Sequence, residues 1–140
     1  MLYLDTSLLV CALTNEPKTA TVQAWLSQQP ANHLTISDWV TTEFSSSLSI
    51  KVRSGTLDPV LRGTILARFT QMSGQAFNVL RVEAPAFPRA ARFCDQSQLN
   101  LRSGDALHLA ICAEHGATIC TLDQVLSQAA PALGVASVLL

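Results

Sequence analysis

Four of the ten carboxylates in this chain of 140 residues occupy positions that are unusual for solvated acids. Asp5 and Asp123 each follow a short apolar run, at the carboxyl end of a predicted strand. Asp105 begins the most apolar predicted helix, and Glu43 lies in the middle of another helix, on the same face as apolar residues. Because an unpaired buried charge is costly, a glutamate on an apolar stripe needs a partner or a cation.

These four acids predict one metal-binding site. The carboxyl ends of parallel strands share one edge of a sheet, which is where ligands bind in open α/β sheets. Carboxylates brought together there raise one another's pKa unless a metal ion neutralises them. Oxygen ligands without clustered histidine or cysteine favour Mg²⁺ or Mn²⁺ over zinc. Such an ion activates water and holds a phosphodiester for in-line displacement, so we expect nuclease chemistry.

Each acid also has a purely structural interpretation. Asp5 and Asp123 would cap the helices that follow them, and Asp105 would complement a helix dipole. Glu43 would form an ion pair with an arginine such as Arg81. The joint occurrence of four acids in four separate segments favours one common site over four unrelated structural roles.

Strands that alternate with helices must position these acids. The hydrophobic pattern predicts strands over residues 2–4, 33–36, 77–82, 117–121 and 135–139. It predicts helices over residues 8–14, 17–28, 38–52, 57–73, 85–98, 105–114 and 123–128. The expected caps of three of these helices are Ser37, Ser103 and the pair of Thr6 with Ser7. The alternation predicts an α/β fold, a three-layer α/β/α domain with a short-stranded, mostly parallel central sheet.

Composition limits the class of protein. Hydrophobic residues make up 49% and charged residues only 14%, which excludes a disordered chain and indicates an apolar surface patch for a partner. The length fits a single domain over residues 1–140. The net charge of −1 provides no general attraction for nucleic acid, so binding of RNA would need a local basic patch.

The cysteines and the apolar stretches indicate a soluble, cytoplasmic protein. Cys11, Cys94, Cys112 and Cys120 lie far apart in apolar stretches, which is typical of free thiols, although one disulfide stays open. The N-terminal segment has no Lys or Arg before the acid at position 5, unlike a signal peptide. The long uncharged stretches contain proline and polar residues, so no membrane span is expected.

Four short motifs follow one another along the chain. They are LYLDTS at residues 2–7, SDWVTTEF at 37–44, RSGDALHLA at 102–110 and TICTLD at 118–123. In this order and at this spacing they resemble the PIN-domain ribonucleases, in particular the VapC-like toxins of bacterial and archaeal toxin–antitoxin pairs. The resemblance covers essentially the whole chain, although residues 55–88 carry no motif of that family.

The resemblance implies a metal-dependent endoribonuclease, a hydrolase that cuts RNA. Its acidic residues would be Asp5, Glu43, Asp105 and Asp123. The first three would hold the main ion, Mg²⁺ with Mn²⁺ as a substitute, and Asp123 would act directly or through water. The supporting hydroxyl groups would come from Thr6, Ser7 and Thr121.

One histidine and several arginines are further candidates for the site. His108 lies one turn after Asp105, and it is either a partner of the acids or of a phosphate, or a histidine satisfied in the core. A basic rim for RNA phosphates would consist of Arg81, Arg89, Arg92 and Arg102. A solvated helix face is an equally good interpretation of these arginines.

The resemblance also implies protein partners. Such proteins form homodimers and bind an antitoxin, which would lay a segment over the apolar surface and direct an arginine at the carboxylates. Binding of DNA would come only through the antitoxin. The biological role would be that of a toxin which blocks translation by cutting RNA. Trp39, Phe44 and Phe69 are expected in the core or in a dimer contact.

Two other enzyme classes lack their required residues. A phosphatase of the haloacid-dehalogenase kind needs a second acid two residues after Asp5, where Ser7 stands. That phosphatase and a receiver domain both need a late lysine, and no lysine follows Lys51. The alternative from another class is a catalytically inactive PIN-like interaction module. The presence of all four acids favours the enzyme over this module.

Overall fold

A sheet of five short strands forms the centre of the molecule, which a computed structural model describes over residues 1–140 apart from the side chain of Ala31. The strands are β1 (Leu2–Leu4), β2 (Leu34–Ser37), β3 (Asn78–Leu80), β4 (Thr118–Thr121) and β5 (Ser137–Leu139). Their order is β3-β2-β1-β4-β5, and every neighbouring pair is parallel. The predicted α/β fold is confirmed, with a sheet that is parallel throughout.

Helices connect the strands and flank the sheet. They are α1 (Thr6–Leu13), α2 (Thr19–Ser27), α3 (Asp38–Arg53), α4 (Pro59–Gln75), α5 (Ala86–Cys94), α6 (Ser103–His115) and α7 (Gln124–Ala129). The helix predicted over residues 85–98 ends at Cys94, and a separate 3-10 turn covers Ser97–Leu99. The predicted edge strands shorten to three residues each, β3 pairing with residues 35–37 of β2 and β5 with residues 119–121 of β4.

Strand β1 lies in the middle of the sheet because its residues are apolar on both faces, and Tyr3 and Leu4 are fully buried. It pairs with β2 on one side and with β4 on the other, where Leu4 stands opposite Cys120. The carboxyl ends of these three central strands therefore lie side by side. Asp5 follows the first of them and Asp123 lies two residues beyond the last.

Helix α6 is the most deeply buried helix that carries a predicted site residue. Every residue from 106 to 112 is buried, which explains the apolar sequence of this segment. The helix ends at Gly116, whose φ of 61° is the left-handed conformation that glycine adopts at low cost. Its first turn faces the carboxyl end of the sheet and carries Asp105.

The helix caps differ from the predicted ones. Asp5 itself, rather than the hydroxyl residues after it, is the N-cap of α1. Ser37 does stand at the N-cap of α3, but its hydroxyl lies 2.6 Å from the Tyr3 hydroxyl instead of capping the helix. Helix α6 begins at Ser103, and Arg102 holds its N-cap position. At Ser37 a tertiary contact therefore took precedence over local capping, because a buried hydroxyl must find a partner inside the protein.

Aromatic packing joins α3 to α4. The rings of Phe44 and Phe69 stack with their centroids 4.1 Å apart and their planes at 14°, and both side chains are buried. These two residues belong to the core, and Trp39 is half-buried against it. The four cysteines are free, as expected. Among the described residues, no helix combines the length and the apolar character needed to cross a membrane.

Candidate metal centre

Asp5 is held in one orientation by two hydroxyl groups. Its carboxylate Oδ2 accepts hydrogen bonds from Ser7 Oγ at 2.5 Å, from the Ser7 backbone N–H at 3.3 Å and from Thr121 Oγ1 at 2.8 Å. The residue is only 5% exposed. These bonds use Oδ2 and leave Oδ1, the other carboxylate oxygen, for a partner on the opposite side.

Glu43, in the middle of α3, is the second acid of the site. Its Oε2 accepts a hydrogen bond from Thr6 Oγ1 at 2.7 Å and lies 2.6 Å from His108 Nε2. The partner of Glu43 is therefore a histidine of α6, and not Arg81 as the structural interpretation of the sequence suggested. Its Oε1 faces Gly104, where an added Cβ would lie only 2.6 Å from this oxygen.

His108 lies between the two acids. Its Nε2 is 3.3 Å from Asp5 Oδ1 as well as 2.6 Å from Glu43 Oε2, and its ring is 1% exposed. Asp5, Glu43 and His108 each offer one ligand atom, and these atoms lie within 4.8 Å of one another. His108 is therefore a partner of the acids, one of the roles that the sequence left open for it, and the ligand set is not formed by oxygen atoms alone. The donors of this close group are carboxylate oxygens and one imidazole nitrogen.

The two partners shift each other's pKa in opposite directions. Burial acts to raise the pKa of Glu43, but the hydrogen bond and the charge of His108 outweigh it, so that the pKa lies below its usual range. Burial likewise acts to lower the pKa of His108, and the Glu43 hydrogen bond together with the Asp5 charge raises it above its usual range. The structure therefore favours a charged pair.

Asp105 and Asp123 lie outside the close group, and both line a neighbouring cleft of about 310 Å³. Asp105 Oδ2 accepts a hydrogen bond from the Arg102 backbone N–H at 3.2 Å. Burial raises the pKa of Asp105, and the charges of Asp123 and Asp5 add to this effect against the Arg102 hydrogen bond. The charges of two other predicted acids therefore act on the Asp105 side chain.

Asp123 also acts as the N-cap of α7. Its Oδ1 accepts hydrogen bonds from the backbone N–H groups of Val125 at 2.7 Å and Leu126 at 3.0 Å. Its own backbone N–H donates to Thr121 Oγ1 at 2.9 Å, the same hydroxyl that donates to Asp5. The hydroxyl of Thr121 therefore links the ends of the two central strands.

The supporting hydroxyl groups divide between two acids. Ser7 Oγ and Thr121 Oγ1 both donate to Asp5, whereas Thr6 Oγ1 donates to Glu43. Sequence reasoning missed Tyr3, whose hydroxyl lies 2.8 Å from His108 Nδ1, and Gly104. The alternation of side chains along a strand, which places residues 3 and 5 on the same side, is the signal for Tyr3.

The four predicted RNA-binding arginines do not share one location. Arg102 lines the cleft of Asp105 and Asp123, and its side chain is exposed. Arg89 and Arg92 lie on α5, and Arg81 follows β3 directly. Only Arg102 therefore lies at the acidic cleft.

The donor set fits a divalent ion such as Mg²⁺ or Mn²⁺. Asp5 is buried beside the carboxylate of Glu43. Burial and the charges of Asp123 and Asp5 raise the pKa of Asp105, so a cation would relieve the repulsion among these acids. The carboxylate oxygens suit both ions.

Comparison with known proteins agrees with this architecture. The family profile described as PIN domain matches residues 2–131. No curated protein sequence matches the chain. Among solved structures, the chain is similar to FitAcB from Neisseria gonorrhoeae, with a TM-score of 0.76 and 20% identity over 98% of this chain and 96% of the other.

Two further structures share the fold. VapC20 from Mycobacterium tuberculosis, described as a toxin that cleaves the sarcin–ricin loop, has a TM-score of 0.75 and 17% identity over 92% of this chain and 95% of the other. A toxin–antitoxin complex from Klebsiella pneumoniae has a TM-score of 0.60 and 17% identity over 88% and 87%. The fold and a family profile that spans nearly the whole sequence lead to one conclusion: the chain belongs to the PIN domain family.

Proposed function

We propose that this protein is a metal-dependent endoribonuclease and the toxin of a toxin–antitoxin pair. The observation that carries the proposal is the close group of Asp5, Glu43 and His108, with Asp105 and Asp123 lining the neighbouring cleft. The proteins of the PIN family are generally nucleases, which supports a reaction at phosphodiester bonds.

Asp5, Glu43 and Asp105 would hold the ion, and Asp123 would act directly or through water. When bound, the ion supplies an activated water molecule and stabilises the negative charge that develops on the phosphodiester. Mg²⁺ is the proposed ion, with Mn²⁺ able to replace it, because carboxylate oxygens predominate among the donors.

The side chains of the chain itself prepare the acids for this task. Ser7 and Thr121 bind Oδ2 of Asp5, and Thr6 binds Oε2 of Glu43, so neither carboxylate rotates freely. Burial and the charges of Asp123 and Asp5 raise the pKa of Asp105, so a cation beside these acids would favour its charged form. Arg102, which lines the cleft, would contact a phosphate of the substrate there.

RNA is the proposed substrate class, and an antitoxin is the proposed partner. VapC20 is a toxin that cleaves the sarcin–ricin loop, and the Klebsiella structure is a toxin–antitoxin complex, and both share this fold. A groove of about 510 Å³ begins at Ser7 and Asp123 and extends to the ion pair between Lys51 and Glu16, which is 2.8 Å long. This groove offers a path for an RNA strand or for a segment of an antitoxin.

We also infer that the protein forms a homodimer and acts in the cytoplasm.

The decisive experiment is cleavage of total cellular RNA by the purified chain without antitoxin. The reaction is run with Mg²⁺, with Mn²⁺ and with EDTA, and it is compared with two variants. Asp5→Asn removes the charge of the central acid but keeps an oxygen for Ser7 and Thr121. Asp95→Asn is the matched control, because Asp95 is exposed at the end of α5, away from the cluster.

We expect cleavage that requires the ion, fails in Asp5→Asn and persists in Asp95→Asn. Cleavage that survives both EDTA and Asp5→Asn would refute the proposed mechanism. Absence of cleavage by folded protein in every metal, together with tight binding of a protein partner, would instead identify a catalytically inactive interaction module.

A further inference from the structure

A chain of hydrogen bonds runs from the centre of the sheet to the acids. Ser37 Oγ lies 2.6 Å from the Tyr3 hydroxyl, and this hydroxyl lies 2.8 Å from His108 Nδ1. On the other side of the ring, Nε2 lies 2.6 Å from Glu43 Oε2 and 3.3 Å from Asp5 Oδ1. The five side chains come from β2, β1, α6 and α3 and from the residue after β1.

The inner part of this chain is closed to water. Tyr3 and Ser37 are fully buried, and His108 is almost so. A buried polar group without a partner costs free energy, so each of these groups holds the next one in place. The imidazole ring also meets the Tyr3 ring edge to face, with centroids 5.6 Å apart and planes at 61°. The orientation of His108 is therefore fixed by the core, and not by solvent.

A histidine satisfied in the core needs only one partner for each ring nitrogen. Here a single nitrogen, Nε2, faces carboxylates from two different elements, Asp5 after β1 and Glu43 in α3. With Nε2 protonated, its N–H donates to Glu43 and attracts Asp5, so it sets the separation of two acids that would otherwise repel each other. Hydrogen-bonding partners behind metal-binding carboxylates fix their orientation and strengthen binding of the ion.

We propose that His108 is a positioning residue that holds the carboxylates of Asp5 and Glu43 at the separation an ion requires, and that Tyr3 and Ser37 hold its ring in the required orientation. The inference rests on the proposed function, because it assumes that these acids bind a divalent ion. It assigns no contact with the substrate to the histidine.

The test measures binding of Mn²⁺ by isothermal titration calorimetry, without RNA. His108→Leu removes the donor at similar volume, whereas His108→Gln places an amide N–H close to the position of Nε2. Tyr3→Phe removes only the hydroxyl that holds Nδ1. His115→Gln is the matched control, since His115 is exposed at the other end of α6.

We expect His108→Leu to weaken binding of Mn²⁺ by about 10- to 100-fold, the range typical for such partners. His108→Gln should recover most of this loss, Tyr3→Phe should show a smaller loss, and His115→Gln should bind like the wild type. Unchanged binding in folded His108→Leu, or equal losses in the Leu and Gln variants, would overturn the inference.

Two further outcomes are also decisive. If His108→Leu does not fold, Tyr3→Phe decides the matter. Wild-type affinity for Mn²⁺ in that variant would contradict the proposed role of the hydrogen bonds behind His108, and a loss of affinity would support it. The readout is binding of Mn²⁺ alone, so it is independent of cleavage. If the affinities follow the expected order but the protein does not cleave RNA, the inference holds and the proposed nuclease activity is rejected. A wild type that binds no divalent ion would overturn both.

Discussion

At the residue scale, the three consecutive residues Asp5, Thr6 and Ser7 divide the work of building the site. Asp5 contributes the buried carboxylate, Ser7 returns its hydroxyl to that carboxylate, and Thr6 reaches across to Glu43. Ser7 Oγ also accepts a hydrogen bond from the backbone N–H of Leu122 at 3.1 Å. One short turn therefore orients two acids and joins the end of β4 to the start of α1.

Gly104 leaves room for the Glu43 carboxylate, which gives the first prediction. In Gly104→Ala the new Cβ would lie 2.6 Å from Glu43 Oε1, and the partly exposed glutamate side chain would move away. Alanine favours a helix over glycine by about 1 kcal/mol, and this gain opposes the cost of moving the Glu43 side chain. The free energy of unfolding should therefore change little. Activity on RNA should nevertheless fall by about 100-fold, a loss typical of misplaced catalytic groups.

The control for this prediction is Gly63→Ala in α4, where an added Cβ meets nothing within 4 Å. RNA cleavage is measured in both variants at equal protein concentration, with circular dichroism to verify folding. Full activity in Gly104→Ala would show that the position of Glu43 Oε1 does not matter.

The charged pair of His108 and Glu43 gives the second prediction. The pKa of His108 is raised in the folded state, although its burial alone would lower it. Protonation of this histidine therefore stabilises the fold fully below the unfolded-state pKa of about 6.5, and the contribution is lost as the pH rises through the folded-state pKa. The free energy of unfolding of the metal-free protein should fall in that range, and it should fall less in His108→Gln.

Urea unfolding in EDTA, followed by circular dichroism between about pH 6 and pH 9, measures this slope. Titration of other groups affects both proteins alike, so the difference between the two curves isolates His108. Parallel curves would contradict a raised pKa of this histidine.

At the element scale, each of the two central strand ends supplies an acid that also caps a helix. Asp5 caps α1 and Asp123 caps α7, as the structural interpretation of these residues expected, and their role in binding an ion stays a prediction. The N-terminal ends of both helices thereby face the candidate metal centre. Capping uses Oδ2 of Asp5 and Oδ1 of Asp123, so the other oxygen of each carboxylate takes no part in the cap.

The two roles of Asp123 are separable, which gives the third prediction. Asp123→Asn keeps an oxygen for the N–H groups of Val125 and Leu126, whereas Asp123→Ala loses the cap and should destabilise the fold by about 0.5–2 kcal/mol. RNA cleavage should fall in both variants, because both lose the charge. Thermal unfolding and cleavage rates are measured side by side.

Asp58→Ala is the matched control for the cap. Asp58 caps α4 through Val60 and Leu61 at an exposed position, so its loss should lower stability by a similar amount and leave cleavage intact. If Asp123→Asn cleaved RNA at the wild-type rate, Asp123 would be a cap only.

Most of the fold could be predicted from local patterns, because apolar runs, caps and glycines act within a few residues. The acids after β1 and β4 were predictable for the same reason, since a carboxylate directly after a buried strand reaches the edge of the sheet. Whether His108 is a partner of the acids or a histidine satisfied in the core could not be decided from the sequence. It depends on how α6 packs across the sheet onto Tyr3, which no local pattern specifies.

At the scale of the whole molecule, a protein with few charges concentrates several of its acids at one end of a sheet. Charged residues make up only 14% of the chain, and the charges of Asp5 and Asp123 raise the pKa of Asp105 at this end. Repulsion among these acids lowers the free energy of unfolding, and a bound cation would remove this effect. A bound ion would therefore couple the chemistry of the proposed site to the stability of the entire domain.

This coupling gives the fourth prediction, a rise in the melting temperature with Mn²⁺. Binding to the folded state alone at a hundred times the dissociation constant adds about 2.7 kcal/mol to the free energy of unfolding. Differential scanning calorimetry should show a rise in the wild type that depends on the Mn²⁺ concentration, little rise in Asp5→Asn and the full rise in Asp95→Asn. Equal shifts in all three proteins would indicate that the ion binds elsewhere.

The position of β1 between β2 and β4 has a consequence for the protein during its synthesis. The hydroxyl of Thr121 and the partner strand β4 come more than a hundred residues after β1. During synthesis the carboxylate of Asp5 therefore leaves the ribosome well before the groups that orient it. A nascent chain that ends before β4 carries the acid of the candidate site without the hydroxyl group that fixes its orientation.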